Sequence, residues 1–327
     1  MERRVVDAGG AILRVRFWGT RGSLPRSLTG REVRKKISRI LELSQSYPLG
    51  DAAYRNAFID TVLPFALRGS WGGSTSCVQI EHSDEYILLD AGTGLRDFGN
   101  QLMKEKKGAP AVFHIFISHL HWDHIQGFPF FVPAYLPENT INIYGCHPEL
   151  EEAFMRQQES PFFPVPLKSL GATIRFIRLP IGESFNAAGF VVDTLLQNHP
   201  GKSYGYSFAG FGRKIVYSTD SEHLAGVDHS SFIHFFRNAD LLIFDAQYSL
   251  AEAELVKRDW GHSSNVIGVE LAVLSETRHL ALFHTEPNLD DEDLEQIEEE
   301  TLEYSRIFAR DYPLKVTVAY DRLEVEL

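Results

Sequence analysis

Ser118-His119-Leu120-His121-Trp122-Asp123-His124 follows directly on the apolar run Val112 to Ile117. A buried strand cannot hold three imidazoles and a carboxylate without partners, so the cluster belongs to the loop in which the strand ends. Imidazole nitrogens suit zinc and its neighbours, and a carboxylate adds a harder oxygen ligand. Alternation puts His119 and His121 on one side, where they can share an ion, and turns Asp123 and His124 towards a second position nearby. Four metal-competent residues within six consecutive positions are hard to explain by packing.

The same placement recurs further along the chain. His199 follows the strand-like run Phe190 to Leu196, Asp220 follows Lys214 to Tyr217, and His284 follows Leu280 to Phe283. Each has an ordinary reading when taken alone: a loop histidine, or for Asp220 a helix N-cap. Their shared position, one metal-competent residue after each apolar strand, is the signal.

Other strands are expected at Val15 to Phe17, Cys77 to Glu81, Tyr86 to Leu89, Ile141 to Tyr144, Ile174 to Leu179, Tyr204 to Ala209 and Leu241 to Phe244. Helices are expected at Leu95 to Lys106, Glu149 to Gln158, Ser231 to Asn238, Ser264 to Leu274 and Asp290 to Asp311. Two sheets flanked by helices accommodate this mixture. Between Thr29 and Arg68 the character changes. Val33, Ile37, Ile40, Leu41 and Leu43 recur at helical spacing, and Phe58, Ile59, Val62 and Leu63 suggest a second helix that stops near Pro64. This segment reads as an inserted helical hairpin whose apolar residues need a partner surface, either the metal cleft or a second subunit. The whole chain, 1–327, is read as one domain.

With 327 residues, 44% hydrophobic and 23% charged, the chain can bury a sizeable core. Its formal net charge of -12 opposes a long polyanion unless a local basic patch compensates. The densest basic run, Arg31, Arg34, Lys35, Lys36 and Arg39, fits a solvated helix face. A nucleic-acid polymer is therefore the less favoured partner. The two cysteines, Cys77 and Cys146, form no disulfide framework, which suits a reducing compartment. Met1 to Gly10 lacks an apolar leader, and no run of about 18 apolar residues suggests a membrane span. A cytoplasmic location without membrane contact is the expectation.

The residues Leu89-Asp90-Ala91-Gly92-Thr93-Gly94, the HxHxDH run from His119 to His124, and then His199, Asp220 and His284 together resemble the metallo-β-lactamase superfamily. The resemblance implies an α+β fold, a four-layer αββα sandwich, here with an N-terminal helical insertion. It also implies a dinuclear site. By position, His119, His121 and His199 would hold one divalent cation, Asp123, His124 and His284 the other, and Asp220 would bridge them. Zinc is the expected metal, and manganese or iron also suits such a site. Asp90 would orient a ligand histidine. In the branch that cleaves β-lactams the bridging aspartate is absent or replaced by cysteine, so Asp220 points to the phosphodiesterase, ribonuclease Z-like and lactonase-like branches.

Trp260-Gly261-His262-Ser263-Ser264 resembles the histidine motif of ribonuclease Z and of the cyclic phosphodiesterases of phosphonate metabolism. That resemblance makes His262 a proton donor to a leaving alkoxide or a stabiliser of phosphoryl charge. His262, Asp220 and Asp123 form the expected catalytic set. The loops Phe17 to Ser23 and Gly72 to Cys77 also look like this branch; they could cradle a phosphate with backbone N–H groups, or be plain turns. A basic, Gly-rich arm for gripping folded RNA is missing. The expectation is a dinuclear hydrolase acting on a small or cyclic nucleotide or a related phosphodiester, in a chain that could form a homodimer. The alternatives are a ribonuclease Z-like nuclease and a lactone or thioester hydrolase.

Overall fold

The structure is a computed structural model that describes residues 13–224, 226–250, 253 and 256–327. The expected lack of a leader in Met1 to Gly10 lies outside the described residues.

Six strands open the chain: β1 (Arg14–Gly19), β2 (Cys77–Glu81), β3 (Tyr86–Leu89), β4 (Val112–Phe116), β5 (Thr140–Gly145) and β6 (Thr173–Arg178). Seven follow: β7 (Phe185–Ala187), β8 (Phe190–Gln197), β9 (Ser203–Gly210), β10 (Arg213–Ser218), β11 (Leu241–Asp245), β12 (His279–Phe283) and β13 (Lys315–Val318). A last strand, β14 (Glu324–Glu326), returns to β1. The result is two seven-stranded sheets, ordered β14-β1-β2-β3-β4-β5-β6 and β13-β12-β11-β10-β9-β8-β7. In both, antiparallel pairing gives way to parallel pairing: β3 to β6 are parallel in the first sheet, β10 to β13 in the second.

The helices are α1 (Gly30–Ser44), α2 (Ala52–Thr61), α3 (Phe65–Arg68), α4 (Gly94–Lys106), α5 (Trp122–Ile125), α6 (Leu150–Gln157), α7 (Ser230–Phe236), α8 (Asn265–Leu274) and α9 (Asp291–Phe308). The strand period of two explains the layering. On β10, Ile215 and Tyr217 point into the space between the sheets while Val216 points to the helices behind. Between the sheets Phe17, Ile80, Leu89 and Phe116 meet Tyr206, Phe208, Ile243 and Phe283. Outside, Leu95, Phe98 and Leu102 of α4 and Phe154 of α6 cover the first sheet. Phe236 of α7, Ile267 and Leu271 of α8 and Leu294 of α9 cover the second. This is the expected αββα order.

The insertion differs in detail. Thr29 starts α1 through a capping box with Glu32. The second helix ends at Thr61, short of Val62 and Leu63, and Pro64 instead opens a third, α3, as proline readily does at a helix start. Phe58, Leu63 and Leu67 form a satellite cluster. Lys36 ties α1 to Asp291 at the head of α9, and the Ala66 amide donates to Glu295. Of the apolar residues expected to need a partner, Phe58 and Leu63 find one inside the insertion, while Ile37 and Leu41 stay exposed. Cys77 and Cys146 are buried free thiols. No described helix is long and apolar enough to cross a membrane.

Candidate metal centre

Because β3, β4, β10, β11 and β12 share a direction within their sheets, the residues that follow them gather at one edge. Three of these, Asp90, Asp220 and His284, have left-handed backbones with φ of 61°, 54° and 62°. Non-glycine residues adopt that region at some cost, and here it turns each side chain back towards the edge as soon as its strand ends. Glycine is needed opposite: a Cβ on Gly22 would lie 2.5 Å from His284 Cε1.

The seven expected ligands converge. His199 Nε2 lies 3.2 Å from His121 Nδ1, and His119 stands in the same group. Asp123 Oδ2 lies 3.1 Å from His284 Nε2 and 3.2 Å from His124 Nε2. Asp220 sits between the two sets. Its Oδ2 is 3.3 Å from His124 Nε2, and its Oδ1 is 3.4 Å from His284 Nε2, 3.7 Å from His119 Nε2 and 4.0 Å from His199 Nε2.

Outer contacts set which nitrogen of each ring faces this centre. His124 Nδ1 donates to Asp90 Oδ2 at 2.7 Å, and that carboxylate also accepts from the Ser118 amide, Ser118 Oγ and Tyr217 Oη, each at 2.7 Å. Since the Ser118 hydroxyl donates to Asp90, its oxygen can accept from His119 Nδ1, 3.2 Å away. His199 Nδ1 donates to the Gly261 carbonyl at 2.9 Å, and His284 Nδ1 to Gln247 Oε1 at 3.0 Å. The Nε2 lone pairs of all four histidines are thus turned inward. His124 and His284 bring theirs to 3.1 Å of each other beside a carboxylate oxygen, and His119 Nε2 is buried without a hydrogen-bond partner. Converging lone pairs are costly unless a proton or a cation lies between them, and a donor set of this kind fits divalent metal ions.

The electrostatics agree. Burial holds His119, His121 and His199 below their ordinary imidazole range, in the neutral form that ligates. Burial works against ionised Asp123 and Asp220, yet the histidines outweigh it and keep both carboxyls well below the usual range. His124 is pushed the other way. Burial disfavours its charge, but Asp123, Asp220 and Asp90 surround it and raise it. Three carboxylates around one buried imidazole are an excess of negative charge that a cation neutralises.

His262 lies beside this centre, with Nδ1 3.8 Å from Asp220 Oδ1. Its Nδ1 donates to Asp245 Oδ2 at 2.8 Å. Asp245 was missed in the sequence, although it obeys the same rule: it is the polar residue that ends the apolar strand β11. Gln247 and Tyr217, which hold His284 and Asp90, carried no such signal.

The two loops considered as phosphate cradles are turns. The amides of Thr20 and Arg21 donate to the Ser74 carbonyl, that of Gly22 to the Thr285 carbonyl, and that of Ser23 to Asp123 Oδ2. In the second loop Gly73 and Ser74 donate to Asp321 and Thr75 to Thr93 Oγ1. With their donors engaged, these loops tie the N-terminal and C-terminal segments together.

Comparison with known proteins places this arrangement. Ribonuclease Z from Thermoplasma acidophilum is 23% identical over 283 residues, which cover 70% of this chain and 87% of that protein. The metallo-β-lactamase fold protein YhfI from Bacillus subtilis superposes with a TM-score of 0.63 at 17% identity, over 97% of this chain and 100% of its own. A diphosphatase from the PhnP family superposes with a TM-score of 0.59 at 18% identity, over 97% of each chain. The relatives named ribonuclease Z lend no support to the expectation of a small rather than a polymeric substrate. Residues 85–285, from the start of β3 to just past His284, match the family described as the beta-lactamase superfamily domain, and the chain belongs to that family of metal-dependent hydrolases.

Proposed function

We propose that the whole chain acts as one dinuclear hydrolase domain that cleaves phosphodiesters, most readily those of a small or cyclic nucleotide. In this reading His119, His121 and His199 would hold one divalent cation, Asp123, His124 and His284 the other, and Asp220 would serve both. Zinc is the proposed metal, with manganese and iron also suited to the donors. Two such cations supply Lewis-acid polarisation of the phosphoryl oxygens and hydroxide at neutral pH.

The observation that carries the phosphodiester reading is the His262–Asp245 pair beside the centre. Asp245 fixes Nδ1 of the ring as a donor and so leaves Nε2 to face a substrate. Burial disfavours the imidazolium, but Asp245 and then Asp220 outweigh it and hold His262 above its ordinary range. In its charged form the ring, held at Nδ1 by Asp245, would offer the Nε2 proton to a departing alkoxide, a poor leaving group. A thioester, which releases a thiolate, needs this less.

A nuclease is the second reading, favoured by the relatives named ribonuclease Z. The charge opposes it: the net charge is -12, and one face of α9 presents Glu292, Glu295, Glu299, Glu300 and Glu303 together. The test is a screen of metal-loaded protein against bis-p-nitrophenyl phosphate, cyclic nucleotides, a tRNA precursor, lactones and thioesters. Turnover of lactones or thioesters without any phosphodiester would overturn the proposal.

A further inference from the structure

Two of the four tryptophans, Trp18 and Trp71, are buried core residues, whereas Trp122 and Trp260 are 79% and 59% exposed. A single exposed aromatic residue is ordinary. These two are set apart by where they stand. Trp122 separates His121 from Asp123 in sequence. Trp260 precedes Gly261, whose carbonyl holds His199, and His262 comes next. His121 and His199 touch at 3.2 Å, and His199 reaches Gly261 at 2.9 Å. The two indoles are therefore attached at opposite ends of one line of contacts, His121 to His199 to Gly261, along the metal centre.

Other aromatic residues stand close by in the chain. Beyond α5, exposed Phe130 packs edge-on against Phe163 with ring centroids 5.5 Å apart. On the Trp260 side, Lys257 Nζ lies 5.8 Å from the Trp260 ring and 4.1 Å from that of Tyr248, whose ring is 5.4 Å from His262. A ligand that reached both would offer an anionic group to the centre and a flat apolar group to the indoles. Rigid aromatic faces hold planar rings by stacking, without reading their edges. A phosphodiester that carries a nucleobase meets both demands.

We propose that Trp122 and Trp260 form a stacking rim that selects phosphodiesters bearing a nucleobase. This rests on the phosphodiesterase reading and assigns the residues that would hold the base.

The test compares two esters with the same leaving group: thymidine 5′-(p-nitrophenyl phosphate) and methyl p-nitrophenyl phosphate. In Trp122→Ala and in Trp260→Ala, the ratio of kcat/KM for the nucleoside ester over the methyl ester should fall about tenfold, mainly through KM. Trp122→Phe should restore most of it, and metal content should match the parent protein. Equal losses on both esters, or an unchanged ratio, would overturn the rim. A second measurement needs no turnover. Because Trp18 and Trp71 are buried, quenching of tryptophan emission by thymidine 5′-monophosphate reports on Trp122 and Trp260, and each alanine variant should lose part of it. Saturable quenching in a protein that hydrolyses neither ester would sink the phosphodiesterase reading and keep the rim. Hydrolysis of both esters without quenching, and with an unchanged ratio in the variants, would do the reverse.

Discussion

Asp245 Oδ2 accepts the Nδ1 proton of His262 at 2.8 Å, and the same carboxylate is clamped by the Ser221 amide at 3.2 Å and the Gln247 amide at 3.1 Å. A carboxylate so held orients the ring and stabilises its charged form. A proton donor works only while protonated, so activity falls as pH rises through its pKa. Asp245→Asn removes a charge that raises this pKa, so the alkaline limb of the kcat/KM profile should move to lower pH. A limb that stays in place would show that another group titrates there.

His262→Ala should separate substrates by leaving group. Loss of a general acid typically costs about 10²–10⁴-fold where the leaving group is a poor one. An alkyl phosphodiester should therefore suffer far more than a p-nitrophenyl ester, with metal content unchanged. Equal losses on the two would instead assign His262 to phosphate binding.

Metal analysis of the purified protein should approach two equivalents, and Asp220→Ala should lower that content and abolish hydrolysis of every substrate. Asp220 lies within 4.0 Å of His119, His124, His199 and His284, so both sets lose their common carboxylate. Unchanged metal content with near-normal turnover would show that Asp220 bridges nothing.

His223 gives an acid-stability prediction. Its ring is buried against Phe232 and Phe244, neither nitrogen has a hydrogen-bond partner, and burial pushes it down to about 3. The unfolded chain takes up this proton near 6.5 while the folded chain refuses it until about 3, so stability is lost as pH falls through that window. His223→Phe should flatten the drop in Tm across it and add about 1–3 kcal/mol at neutral pH by removing two unpaired buried groups. An unaltered pH dependence of Tm would mean that His223 does not govern it.

Lys36 donates to the Gly69 carbonyl at 2.7 Å and pairs with Asp291, which also accepts from the Trp71 amide at 3.0 Å. Lys36→Met leaves that buried carboxylate uncompensated and should cost about 3 kcal/mol in denaturant unfolding. A change below about 0.5 kcal/mol would mark the pair as no stronger than an exposed one.

The layering and the seven candidate ligands were legible because strands write a period of two and each ligand sits where such a run stops. β7, β13 and β14 were not, since runs of three or four residues carry too little alternation. Asp245 was overlooked although it ends β11 as the ligands end their strands: a lone aspartate after Phe244 looks like any turn residue until His262 is placed against it. The roles of Tyr217 and Gln247 depend on distances across the sandwich. The stripe of Val33, Ile37 and Leu41 was expected to meet the metal cleft or a second subunit, and it is exposed in the single chain; amphipathic spacing marks a face without saying what covers it.

His119, His121, Asp123 and His124 follow the first sheet's strand β4, while His199, Asp220 and His284 follow strands of the second. Neither half of the chain owns a complete set. The halves are joined at residues 179–184, where Ile181 is 52% exposed and Gly182 has a φ of 78°. A backbone cut there would leave two fragments, one with four of the donors and one with three. They would still be clasped by β14, which the second fragment lends to the first sheet, and by the contacts of Gly73 and Ser74 with Asp321 and of Lys36 with Asp291. Tight ion uptake by such a nicked protein would then gauge whether the two fragments remain docked, so the ion would act as a rivet across the seam as well as a reagent.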